Sequence, residues 1–414
     1  MRRISSGMTN NDIQNNLRLQ ESRLNHVNNQ ISSQQRLQSL REDPLAAGHL
    51  VRYQSYLGRV QNFEKNVQVL TDRFALTEGY MDQSLEIMHR IRELAVTGAT
   101  GTNTPDDLKN MASEVDELLK ELIQNANATG PDGNSLFAGT KTNMSAYDVE
   151  MGPVPGSSEL RISNVRYNGN IEGNQIEVDE GAYLETSSAG NKIFWSDPQQ
   201  LFSGRDASNF SVTQDSVISV DGKEINLTAG DNVYALVAKI NDSGAAVKAS
   251  VDPISFGLNL QTTDSRQLWL QDVSGSVLND LGIIKDSSQL PPYNLGDSVK
   301  VSGGSLFDSV IALRDAMLVA DQESIGGRVL GNIDNAVNNL VTRLAESGAK
   351  YERAVQNIAR NSLTALNVTQ MISREGDLDF TKAITDMKMM EYVQQATLNT
   401  AGKLYSNTLL DYIR

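Results

Sequence analysis

Residues 53–95 read YQSYLGRVQNFEKNVQVLTDRFALTEGYMDQSLEIMHRIRELA, and one seven-residue period runs through the whole stretch. Tyr53, Val60, Val67, Phe74, Met81, Met88 and Ala95 fall on one seam row, with Tyr56, Phe63, Leu70, Thr77, Ser84 and Ile91 three residues after the first six. A heptad kept this long predicts a long helix with a single buried stripe. Gly58 and Gly79 fall on the outermost position, where each costs about 1 kcal/mol relative to Ala but removes no packing. Upstream, Asp43-Pro44 is an N-cap with proline at the first helical position, a start signal. Thr104-Pro105 repeats it, and Leu108, Met111, Val115, Leu118 and Leu122 carry a second helix toward the glycine-rich turn at Gly130 to Gly133.

Far along the chain, Leu306, Val310, Leu313 and Met317 predict a short helix stopping near Gly326 and Gly327. A second long stripe follows through Leu330, Ile333, Val337, Leu340, Leu344, Tyr351, Ala354, Ile358, Ala365, Val368 and Ile372. Two such helices bury their stripes most simply against each other, closing the chain on itself. The outermost segments carry diluted stripes. Ile13, Leu17, Leu24, Val27 and Ile31 form one; Ala383, Met387, Met390, Ala401 and Leu404, with Leu409 near the end, form the other. Helices this marginal order only when paired or packed into an assembly, and an intramolecular pair and an intersubunit surface both satisfy them.

Between the helical segments, residues 145–303 hold six of the nine prolines, both tryptophans, and 21 acids against 10 bases, a net of −11. Alternation at Arg161–Tyr167, Ile176–Val178, Lys192–Trp195 and Leu258–Leu270 predicts strands. Val217–Leu227 predicts a hairpin turning at Asp221-Gly222, a pair suited to the positive φ angles of a type I′ turn. Val233–Ile240 reads as a short helix. The expected fold is mixed α and β and multidomain: a long antiparallel α-helical coiled-coil or bundle stem built from both termini, with an inserted β-rich domain. Its segments are 1–41 (N-terminal helix), 42–144 (stem), 145–303 (outer insert), 304–375 (stem) and 376–414 (C-terminal helix).

Composition excludes much chemistry. There is no cysteine, hence no disulfide, thiolate metal site or thiol nucleophile. A net charge of −15 argues against a nucleic-acid partner. No eighteen-residue apolar run suggests membrane insertion, and the first thirty residues carry no signal-peptide core. His26, His49 and His89 have no metal-ligand spacing; Asp106-Asp107 and Glu114 with Glu117 read as solvated helix faces; Gly130 to Gly139 lacks the Lys-Ser/Thr ending of a phosphate loop. Met387, Met389 and Met390 read as adaptable packing. No catalytic, cofactor-binding or metal-binding residue is expected, and no enzyme.

The order of several short motifs resembles the bacterial flagellin family, and within it the hook-associated junction branch of the FlgL type. They are Ser39-Leu40-Arg41-Glu42-Asp43-Pro44, Ala126-Asn127, and Asp132 to Thr140, ending in Leu136-Phe137-Ala138-Gly139-Thr140. Val165 to Asn170, Ala235 to Asp252, Asp377-Leu378-Asp379-Phe380 and Leu409-Leu410-Asp411-Tyr412 continue the series. The resemblance implies export through the flagellar type III apparatus without signal cleavage, and terminal helices paired around a hollow axis. It implies a homo-oligomeric ring between a FlgK-type junction protein and flagellin, and a FlgN-type chaperone on the C-terminal helix before export. The expected location is the hook-filament junction of a bacterial flagellum. The terminal residues Ile13, Leu17, Leu24, Val27, Ile31, Met387, Met390, Ala401, Leu404 and Leu409 would then serve self-assembly. Stem packing would fall to Val60, Val67, Phe74, Met81, Met88, Leu330, Val337, Leu344, Tyr351 and Ile358. A flagellin subunit and a cytoplasmic coiled-coil scaffold with a β-rich binding insert are the alternatives.

Overall fold

In the computed structural model, which describes residues 6–186, 189–285, 289 and 293–406, the heptad stretch lies inside one continuous helix, α2 (Pro44–Ala99). It follows α1 (Ser6–Ser33) and precedes α3 (Pro105–Ala126). The strands are β1 (Tyr147–Pro153), β2 (Leu160–Tyr167), β3 (Gln175–Asp179), β4 (Ala182–Glu185), β5 (Gln200–Phe202), β6 (Ser216–Val220), β7 (Lys223–Leu227), β8 (Val247–Val251), β9 (Leu258–Thr262), β10 (Leu270–Ser274) and β11 (Lys300–Ser302). Short helices α4 (Gly190–Ile193), α5 (Val233–Asp242) and α6 (Val277–Asp280) interrupt them. The chain then closes with α7 (Leu306–Leu318), α8 (Gln322–Ser324), α9 (Leu330–Gly376) and α10 (Phe380–Ser406).

The backbone sorts into two units, residues 1–65 with 358–414, and residues 66–357. In the second, the seam side chains Met81, Met88 and Ile91 meet Leu108, Val115, Leu119 and Leu122 of α3, Phe307, Val310 and Leu313 of α7, and Ile333, Val337 and Leu340 of α9. Each Leu or Ile so buried contributes about 1.5–3 kcal/mol. α3 and α7 start at capping boxes, Thr104 with Asp107 and Ser305 with Asp308, which satisfy their first free N–H groups. The Thr104 hydroxyl holds the Asp107 carboxyl below its usual range. Among these apolar side chains, Arg314 is fully buried, its guanidinium bonded to Asp116 (2.9 Å) and Asp315 (2.7 Å). Asp116 also faces Lys120 (3.3 Å) and Arg161 (3.6 Å), so one carboxylate ties α3, α7 and β2 together.

The 145–303 segment contributes to two cores. The β1–β2 hairpin packs Tyr147, Ile162, Val165 and Tyr167 into the helical core. A second core, around Ile218, Leu236, Ile240, Leu260 and Leu278, lies among the antiparallel sheets β10-β6-β7 and β11-β5-β9-β8. The β6–β7 hairpin turns at Asp221 (φ 48°) and Gly222 (φ 79°), the geometry predicted for Asp-Gly.

Three expectations need correction. Lys192–Trp195 is not a strand: the Gly190 N–H is fixed to the Phe137 carbonyl (2.8 Å), one helical turn follows, and Phe194 is drawn into a cluster with Phe137, Tyr147 and Phe307. Leu258–Leu270 is two strands in different sheets, because the intervening chain bends where Arg266 pairs with Asp264 and Asp221. Gly326 and Gly327 do not end a helix: a π turn (Ile325–Val329), with Gly327 off-helical at φ −97°, ψ −107°, leads directly into α9 while Ile325 and Val329 stay buried.

The Leu136–Thr140 and Val165–Asn170 motifs interlock. Phe137 and Ala138 are fully buried, and Gly139 turns at φ 67° under Asn170. The Thr140 N–H donates to the Asn170 amide oxygen (2.8 Å), and the Tyr167 hydroxyl sits 3.0 Å from the Phe137 carbonyl. A Cβ at Gly139 would collide with the Asn170 backbone and force a positive φ on a side chain. Gly139→Ala is therefore expected to cost about 1–3 kcal/mol or more, read as a lowered urea midpoint.

Candidate assembly site at the paired chain ends

In the unit of residues 1–65 and 358–414, α1 and α10 pack side by side and run antiparallel, fixed at their base by backbone contacts. The Arg36 N–H donates to the Gly376 carbonyl (2.8 Å), and the Leu378 N–H to the Gln34 carbonyl (3.1 Å). Gln34 adopts φ 60°, which lets the chain leave α1 sharply. The Arg36 guanidinium latches the base, donating to the Glu375 carbonyl (3.0 Å) and lying 3.5 Å from Asp43 and 3.8 Å from the Glu375 carboxylate. Asp43 accepts from the Ala46 N–H (3.0 Å) as the cap of α2, and that bond holds its carboxyl below the usual range. Glu42 folds back onto the Gln38 N–H, which lowers it likewise. The 39–44 motif is thus a folded elbow between α1 and α2. Arg36 escaped the sequence reading, since both of its acidic partners act through the fold and one is 339 residues away.

Along α1 the covered positions recur as Ile13, Leu17, Gln20, Leu24, Val27 and Ile31, with Val27 8% exposed. Along α10 they recur as Ala383, Met387, Met390, Gln394, Thr397 and Ala401. Inside this seam the Gln20 amide donates to the Thr397 hydroxyl (3.3 Å). The predicted stripes are therefore the covered sides of the two helices. Leu404 lies on α10 with its side chain outside the described residues, and Leu409 lies outside them altogether. A second set of apolar side chains stays uncovered: Phe380, Ile384 and Leu398 share one flank of α10 and are 41–53% exposed, while Tyr392, opposite the seam, is 77% exposed. Exposed apolar flanks on a paired helix mark an interaction surface. Sequence reasoning missed this flank.

The predicted stem residues lie on the buried sides of α2 and α9. Val60, Val67, Phe74, Met81, Met88 and Val337 are buried, and Leu330, Leu344, Tyr351 and Ile358 are half-buried. α2 and α9 are cross-linked by polar pairs, Glu64 with Ser362 (2.6 Å) in one unit and Arg92 with Asp334 (2.5 Å) in the other. Among the described residues no group of three or more His, Asp or Glu could hold a metal ion, and no helix is long and apolar enough to cross a membrane.

Residues 4–142 match the bacterial flagellin N-terminal helical region, and residues 209–264 match the flagellin hook IN motif. The second match spans β6, β7, α5, β8 and β9. The flagellar hook-associated protein 3 of Escherichia coli is 24% identical over 299 residues, which cover 70% of this chain and 85% of that protein. Flagellin A of Vibrio anguillarum is 25% identical over 323 residues, 77% of this chain and 74% of that protein. Among solved structures, a flagellar hook associated protein-3 from Legionella pneumophila superposes with a TM-score of 0.48 at 15% identity, over 78% of this chain and 97% of that one. FlgL of Xanthomonas campestris gives 0.43 at 19% identity, over 78% and 99%.

Proposed function

Since the chain belongs to the bacterial flagellin family, we propose that it is the structural subunit joining the hook to the flagellin filament. The single observation that carries this reading is the terminal hairpin. Its seam is satisfied within the chain, yet α10 keeps an apolar flank that is uncovered among the described residues, as a surface for neighbouring subunits would be. The inner stem folds on its own heptads, so the hairpin is left for contacts between copies. The hook-associated protein 3 of Escherichia coli and the Vibrio flagellin match at similar identity, 24% and 25%, and it is the Leu136-Phe137-Ala138-Gly139-Thr140 run that supports the junction position over a filament subunit.

In this reading the chain leaves the cell through the flagellar type III apparatus without signal cleavage. It assembles as a ring through its terminal helices, meets a FlgK-type protein on the hook side and flagellin on the other, and is held by a FlgN-type chaperone before export. A chaperone on α10 would cover the same apolar flank that later meets neighbours. Catalysis has no part in this role. Deleting the gene is expected to leave hooks without filaments and to shed flagellin into the medium, with filaments restored by complementation. Full-length filaments in the deletion strain would refute the junction role.

A further inference from the structure

Between α9, α4, the end of β4 and the chain linking β9 to β10, a cleft of about 260 Å³ is lined by Lys192, Arg266, Arg343, Ser347 and Lys350. Its cations are unequally matched. Arg266 is held by Asp221 and by Asp264 (2.5 Å), Arg343 by Asp264 (2.7 Å) and Glu346 (3.0 Å), and Lys350 by Glu185 (3.0 Å). Lys192 has no carboxylate within ion-pair distance among the described residues. Two donors beside it are buried with no acceptor, the Arg343 Nε and the Oγ of Ser347, a residue only 5% exposed. Folded interiors rarely leave such donors unpartnered, and two of them beside the half-buried Lys192 ammonium around one cleft call for a common acceptor.

We propose that this cleft binds an oxyanion, a carboxylate or phosphate group, with Lys192 as its charge partner and Ser347 and Arg343 as hydrogen-bond donors. Each carboxylate on its walls has a partner other than Lys192: Glu346 with Arg343, Glu185 with Lys350, and Glu172 with the Asn170 amide (3.3 Å). Burial, and after it repulsion from Arg266, pushes the Lys192 ammonium down in pKa, and an anion beside it relieves both. The chain's net charge of −15 repels anions in general, so saturable anion affinity reports a local site.

The test is thermal unfolding of the full chain in sodium phosphate, or in sodium N-acetylglutamate, against sodium chloride of equal ionic strength. At least one anion is expected to raise the Tm saturably. Tighter phosphate binding identifies a free phosphate group as the occupant, and tighter N-acetylglutamate binding a side-chain carboxylate from another chain. Lys192→Met is expected to weaken the apparent affinity about tenfold or more. Ser347→Ala should weaken it several-fold while leaving the anion-free Tm unchanged, because its hydroxyl has no partner to lose. No saturable shift with either anion, or shifts equal in the wild type and both variants, would overturn the proposal.

Discussion

Replacing Ile384 and Leu398 together by Asp should leave the protein folded and abolish its incorporation into flagella. Both side chains are exposed, 45% and 53%, so each substitution should change stability by no more than about 0.5 kcal/mol. If neighbouring subunits cover these positions, as proposed, a buried carboxylate without a partner costs several kcal/mol at every interface, beyond what a marginal terminal helix can offset. The purified double variant should show wild-type helical content and melting while flagella isolated from the complemented deletion strain lack it. Normal incorporation would remove this flank from the assembly surface. Val27→Asp is the informative contrast. It places a carboxylate in the covered seam opposite α10, so it should lose helical content as well as incorporation.

Asp116→Ala should destabilise residues 66–357 by about 3–5 kcal/mol, because it leaves the fully buried Arg314 guanidinium with Asp315 as its one remaining carboxylate partner. Lys120 and Arg161 lose a partner in the same step, which loosens the β1–β2 hairpin from α3 and α7. Combining Asp116→Ala with Arg314→Met should recover much of the loss, since the uncompensated charge is then gone. Urea unfolding of the wild type, both single variants and the double variant checks this. A double variant as unstable as Asp116→Ala alone would show that the clasp is not governed by this pair.

Which parts of the molecule were legible in advance follows from how local their causes are. The α2 and α9 stripes are periodic patterns within single elements, and Thr104-Pro105 and Asp43-Pro44 mark helix starts through bonds made within four residues. The Asp221-Gly222 turn is equally local. Arg314 is the opposite case: on a helix it reads as a surface cation, and the fold sets it in the core between its neighbour Asp315 and Asp116, 198 residues away. Asn339 is similar, a polar break in the α9 stripe whose amide donates to the Lys192 (2.9 Å) and Trp195 (2.8 Å) carbonyls. Alternation at Arg161–Tyr167 announces a strand but not that its buried face joins the helical core.

The candidate assembly site divides the same way. Its stripes are visible as spacing, from Ile13 to Ile31 and from Ala383 to Ala401. Which apolar side of α10 is covered depends on register with α1, set by Gln34, Arg36, Gly376 and Leu378 at the base of the hairpin. Sequence spacing therefore identified the seam and overlooked Phe380, Ile384 and Leu398. The motifs shared with the flagellin family behave alike: Leu136–Thr140 and Val165–Asn170 look like separate short runs until the fold brings Gly139 under Asn170.

The most direct measurement is gold labelling of intact isolated flagella with antibody raised against residues 200–284, the segment holding the second core. A junction subunit predicts label confined to one band where hook meets filament. Label distributed along the filament would contradict that position and make the chain a flagellin.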